Sequence, residues 1–133
     1  MANVFLIGLE RKAAAEVANV ASVAHHSVFE RSHSIKAHEL SDAGIVFAGG
    51  TPQVQLPLLR RIRSWYPALP VVAVLQTFDM GDWLDALEAG ATDYCWAPVG
   101  RPHIQWFMQS LMASRSDELN VPRQSKAAGA SAR

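Results

Sequence analysis

Cysteine is nearly missing from this sequence: one residue, Cys95, stands in a chain of 133. That excludes an internal disulfide framework and a cysteine-rich zinc site. Net charge is missing too. Twelve basic side chains balance twelve acidic ones, so no broad attraction to nucleic acid or to a membrane surface is expected. No apolar run approaches the roughly 20 residues that span a bilayer. The start, Met1-Ala2-Asn3-Val4-Phe5, has no basic stretch of the kind that opens a secretory signal. A soluble, cytoplasmic protein is the expectation. What the chain does contain is core-forming material: 50% of its residues are hydrophobic and 18% charged, a balance suited to one compact domain. Charge is unevenly spread, acidic in excess over residues 1–100 and basic in excess over 101–133.

Residues 3–8 form a short apolar run closed by Gly8, the pattern of a strand buried on both faces. Over 10–24, Ala13, Ala14, Val17, Val20, Ala21 and Ala24 recur at helical spacing in an alanine-rich segment. Residues 25–31 read as a second, less apolar strand nearer the sheet edge, and a short helix is expected over 35–41. Ile45-Val46-Phe47-Ala48 is a third strand, stopped by Gly49-Gly50-Thr51-Pro52. The next helix spans 53–65, with Val54, Leu58, Leu59 and Ile62 on one stripe and Arg60, Arg61 and Arg63 on a solvated side. Val71-Val72-Ala73-Val74-Leu75 is the clearest strand, β-branched and uninterrupted. Asp79 or Gly81 opens a helix carrying Trp83, Leu84, Leu87 and Ala89, and Gly90 is its natural stop. A fifth strand covers 92–96, and Pro102 begins a last helix with Ile104, Phe107, Met108, Leu111 and Met112. The pattern then dissolves, so a domain is expected over 1–116 and a disordered basic tail over 117–133.

Five strands alternating with helices imply a parallel sheet covered on both faces. Such sheets place their working loops at the carboxyl ends of the strands. Here those loops begin at Gly8, Gly49, Gln76 and Ala97.

The run Ala86-Leu87-Glu88-Ala89-Gly90-Ala91-Thr92-Asp93-Tyr94-Cys95-Trp96-Ala97-Pro98 resembles the fourth-helix and fifth-strand signature of response-regulator receiver (CheY-like) domains. In that family an A-L-x-A-G-A-x-D-Y run leads to a Lys-Pro pair. Leu69-Pro70 ahead of the fourth strand and Leu59-Arg60-Arg61-Ile62-Arg63 also fit, and the resemblance covers about residues 3–114. It implies a flavodoxin-like (βα)5 fold, strand order 2-1-3-4-5, with helices on both faces.

The family's chemistry uses an acidic pair after the first strand for Mg²⁺ and an Asp after the third as phosphoryl acceptor. A Ser or Thr after the fourth and a Lys before the last proline contact the phosphoryl oxygens. In this sequence Gly8 and Leu9 stand at the first position, with only Glu10 acidic nearby. The acceptor position falls on Ala48 or Gly49, Gln76 aligns with the Ser/Thr, and Ala97 replaces the Lys. Tyr94, at the family's aromatic switch position, and Pro98 are kept. A single Glu cannot build a usual Mg²⁺ site. The expectation is a degenerate pseudo-receiver without phosphotransfer chemistry, without a cofactor or metal, and not an enzyme.

Other signals point less far. His25, His26, His33 and His38, with Glu30 and Glu39, could suggest a metal. Adjacent residues on a strand face opposite ways, however, so they read as edge-strand and loop histidines. Gly49-Gly50-Thr51-Pro52 could cradle a phosphate but matches no nucleotide fingerprint. Cys95 reads as a small core residue. The three arginines lack any accompanying nucleic-acid-binding signature.

Trp83, Leu87, Tyr94, Trp96 and Trp106 form the candidate interface. In the receiver fold the fourth helix, fifth strand and fifth helix are neighbours, and large aromatics supply contact area at low entropy cost. The expected function is therefore a phosphorylation-independent signalling module of a two-component or phosphorelay type. It would work through a signalling protein partner or a second copy of itself. Two alternatives stand beside it: a small-ligand sensor using a vacated pocket at Gly8, Gly49, Gln76 and Ala97, and a small flavodoxin-like enzyme.

Overall fold

The computed structural model describes residues 2–76 and 79–118, with side chains to Met112. The elements run β1 (Asn3–Ile7), α1 (Arg11–Val23), β2 (Ser27–Arg31), a 3₁₀ turn (Ala37–Leu40), β3 (Ile45–Ala48), α2 (Pro52–Trp65), β4 (Val71–Leu75), α3 (Met80–Ala89), β5 (Asp93–Trp96) and α4 (Arg101–Glu118). All neighbouring strands pair parallel, in the order β2-β1-β3-β4-β5. This is the expected flavodoxin-like sheet. Ile7 pairs with Ala48, Ala48 with Ala73, and Leu75 with Trp96. The register therefore brings the carboxyl ends of β1, β3, β4 and β5 to one edge of the domain.

Strand alternation makes two cores. Phe5, Ile7, Val46, Ala48, Val71, Ala73 and Leu75 face α2 and α3, against Leu58, Leu59, Ile62, Ala86 and Ala89. Val4, Leu6, Ile45, Phe47, Val72, Val74 and Cys95 face α1 and α4, against Val17, Ala21, Ile104, Phe107 and Met108. Continuous apolar strands are what a sheet buried on both faces needs.

Several local expectations are corrected. His25 and His26 are not on a strand. His25 has φ 66 and closes α1, its amide donating to Ser22 O at 3.0 Å while the His26 amide donates to Ala21 O at 2.8 Å. These are the paired bonds of a Schellman stop, and β2 begins only at Ser27. The helix expected over 35–41 is a single 3₁₀ turn. The elements expected as fourth and fifth helices are thus α3 and α4. On α2, Val54 is 41% exposed and Gln55 is 2% exposed, because Gln55 Nε2 finds two carbonyl partners at the carboxyl ends of β3 and β4.

Arg61 and Arg63 are not solvated. Arg61 donates to His33 O and lies over the Trp65 ring. Arg63 donates to Gly90 O from Nε at 2.8 Å and from Nη2 at 2.6 Å. Its Nη1 donates to Pro67 O at 2.7 Å and Leu69 O at 2.9 Å, and Nη2 also reaches Thr92 Oγ1 at 3.2 Å. One planar fork thus ties the end of α2 to the α3–β5 turn, where helix-terminal carbonyls need donors. Arg60 is exposed as expected. Beyond Glu118, the expected tail lies outside the described residues.

Candidate functional site

Gly8 has φ 72, a left-handed turn that glycine adopts without strain. Directly over it sits the His33 ring: a Cβ on Gly8 would lie 2.2 Å from His33 Cε1, and one on Gly50 would lie 2.8 Å from Nε2. His33 Nε2 is 3.0 Å from Gly49 O. A carbonyl only accepts, so that nitrogen carries the proton. Beside it, a Cβ on Gly49 would meet Gly8 O and Leu9 Cδ2, each at 2.9 Å. Three backbone segments and an imidazole therefore close over each other here. Ala48 is fully buried in the α2-side core, and Leu9 and Ala97 pack against the opposite one. The Ala97–Pro98 peptide is cis. Glu10 stands at the exposed N-cap position of α1 with no capping hydrogen bond from its side chain, and it borders a separate surface hollow with Lys12, Glu16 and Arg101.

Gln76 lines a cleft of about 180 Å³ between α2 and α3, which Gly8, Gly49 and Ala97 do not line. Gly50, Thr51, Gln55, Leu56, Leu75, Asp82 and Asp85 also line it. Gln55, missed from sequence because it falls among apolar helix positions, holds the strand ends together. Its Nε2 donates to Ala48 O at 3.0 Å and to Val74 O at 3.2 Å.

On the other side of α3 the structure brings three aromatics together. Trp83 stacks on Tyr94 with ring centroids 5.3 Å apart, and Trp96 meets Tyr94 edge-on at 5.2 Å. All three are half-buried, with Leu87 beside them against the same core. Tyr94 and Trp96 share a strand face and Cys95 takes the other, as period-2 alternation requires. Leu84 and Met80 continue the apolar surface along α3, being 47% and 69% exposed. Trp106 stands on α4, 39% exposed, and its ring contact is with Phe107 rather than with the trio.

Cys95 is buried, and burial together with the Asp93 charge pushes its thiol up to about 12. A thiol so placed is not a nucleophile at neutral pH. His26 is shifted down, chiefly by burial, and its Nδ1 accepts from the Ala2 amide at 3.0 Å. Among the described residues no group of three or more His, Cys, Asp or Glu side chains could hold a metal ion. Nor is any described helix long and apolar enough to cross a membrane.

No family model matches the chain, and no curated protein matches it by sequence. Solved structures do match. A response regulator receiver domain protein from Clostridium thermocellum superposes with a TM-score of 0.76 at 17% identity, over 90% of this chain and 99% of that one. A CheY-like protein, tadZ, from Pseudomonas aeruginosa PAO1 gives 0.73 at 21% identity, over 84% and 99%. NtrX from Brucella abortus, in complex with ADP, gives 0.72 at 20% identity over 90% of this chain, which spans only 28% of the NtrX chain. The strand order, the two-sided helix cover and these superpositions together establish that this chain has the CheY-like receiver fold.

Proposed function

We propose that the chain is a phosphorylation-independent receiver-like module that signals through protein contacts and is not an enzyme. The observation that carries this reading is the occupancy of the strand ends. Where phosphoryl transfer needs a carboxylate nucleophile, a metal-binding acidic pair and a Lys, this chain has Ala48 or Gly49, Gly8 with Leu9, and Ala97. The His33 ring covers Gly8 and Gly50. A phosphoryl group there would have neither an acceptor atom nor a counter-charge. In such a fold the output is a surface rather than a reaction.

The surface we assign is α3, β5 and the adjoining face of α4. Trp83, Leu87, Tyr94 and Trp96 supply a half-buried aromatic patch, extended by Leu84 and Met80. Rigid aromatics of this kind anchor protein interfaces. The partner is a signalling protein or a second copy of the chain, in the cytoplasm, within a two-component or phosphorelay type of system.

The decisive experiment is incubation with acetyl phosphate and Mg²⁺, followed by intact mass measurement. An unchanged mass is expected. Stoichiometric gain of a base-labile phosphoryl group would overturn the reading.

A further inference from the structure

The cleft between α2 and α3 contains an acceptor that the fold does not use. Gln55 is 2% exposed. Both groups within reach of its Nε2, Ala48 O and Val74 O, are carbonyls, so the amide must turn its nitrogen to the sheet and its oxygen the other way. That side is the cleft, which Gln55 lines. Among the described residues, Oε1 accepts no hydrogen bond. Oε1 is not sealed from solvent, so it stays open to a ligand group that donates to it.

The walls narrow the chemistry. Asp82 and Asp85 line the cleft from α3, and Asp85 makes no ion pair among the described residues. Two carboxylates disfavour a phosphate and favour a cation. Leu56, Leu75 and Pro52 supply an apolar flank, which suits an alkyl stem rather than a bare ion. A divalent metal would need more oxygen ligands than this set offers. A guanidinium differs from an ammonium in carrying its donors on separate edges of a rigid plane. One edge can reach an amide oxygen inside while another meets a carboxylate at the rim.

We propose that this cleft binds an alkylguanidinium group, with Gln55 Oε1 and the Asp85 carboxylate as its acceptors and Leu56 and Leu75 against its stem. The group would belong either to a free small molecule or to an arginine side chain. The proposal is independent of the aromatic face and of the phosphorylation reading.

The test is titration of the full chain with ethylguanidinium and with N-acetyl-arginine methylamide, at constant ionic strength, followed by amide NMR. Saturable shifts of the Gln55 side-chain amide and of the Gly50 and Thr51 backbone are expected. Binding of ethylguanidinium at least as tight as that of the arginine amide indicates a free ligand. Tighter binding of the arginine amide indicates a side chain. Asp85→Asn, a change at an exposed position that leaves the core intact, should weaken binding about tenfold. Gln55→Leu should abolish it if the variant folds. Absence of saturable shifts overturns the proposal. Equal binding of butylammonium, or undiminished affinity in Asp85→Asn, does the same.

Discussion

The protonated Nε2 of His33 donates to the carbonyl oxygen of Gly49 at 3.0 Å, joining the loop after β2 to the loop after β3. The same imidazole lies against Gly8 and Gly50. Side chains at these glycines would displace the ring or collide with backbone. The residues that look like losses when compared with a receiver are therefore also the ones that let these loops close.

Gly49 is where that closure is tightest. A Cβ there would lie 2.9 Å from Gly8 O, a backbone atom that cannot swing aside. Gly49→Ala should destabilise the fold by about 1–3 kcal/mol through overpacking, read from urea unfolding. Gly49→Asp should cost at least as much and should not create a phosphoryl acceptor. A neutral Gly49→Ala would show that the loops part easily.

Arg63 is expected to matter more than a helix-surface arginine normally does. Its guanidinium satisfies the carbonyls of Gly90, Pro67 and Leu69 from a half-buried position. Arg63→Ala should cost about 2–3 kcal/mol, since several charge-assisted bonds go together and leave acceptors unmet. Arg63→Lys should recover only part of that, because an ammonium lacks the fork. Equal stability of the Lys variant and the parent would argue against the fork geometry.

Stability should depend on pH through His26. Its folded value lies below the ordinary 6.5, chiefly because burial disfavours the charged ring. Below 6.5 the unfolded chain binds the proton more readily than the folded one does, so folding is opposed as pH falls. The contribution is fully present above that value and is lost as pH drops through the folded one. Denaturation midpoints measured from about pH 7.5 to 5 should fall, and His26→Asn should flatten that part of the profile. An unchanged slope in the variant would assign the dependence to another group.

The aromatic face gives the remaining prediction. Trp96→Ala should weaken self-association or partner binding by about 2 kcal/mol or more, as anchoring aromatics do. Folding should lose less than that, because Trp96 is only half-buried. A loss of stability of about 3–5 kcal/mol with association intact would make Trp96 a core residue and remove this face from consideration.

Sequence by itself determined the sheet. Runs such as Val71–Leu75 and Ile45–Ala48 are apolar at every position, and only a strand covered on both faces satisfies them. Alternation with helices then set the parallel topology, and Gly90 marked the end of α3, where it stands with φ 123. The strand-end residues Gly8, Gly49, Gln76 and Ala97 were legible for the same reason, since each follows a strand. Which of them meet was not. Gly8 and Gly49 touch beneath His33, while Gln76 turns to a different cleft with Gln55.

Tertiary structure alone decided the roles of His33, Gln55, Arg61 and Arg63. Each is polar, and polar residues on a helix or loop ordinarily face water. Their partners are backbone carbonyls, Gly49 O, Val74 O, His33 O and Gly90 O, which every residue type presents alike. A side-chain pattern cannot mark an acceptor that belongs to the main chain. Only the folded geometry, which brings Arg63 to a carbonyl 27 positions away, shows which acceptors lack a donor and which side chain supplies it.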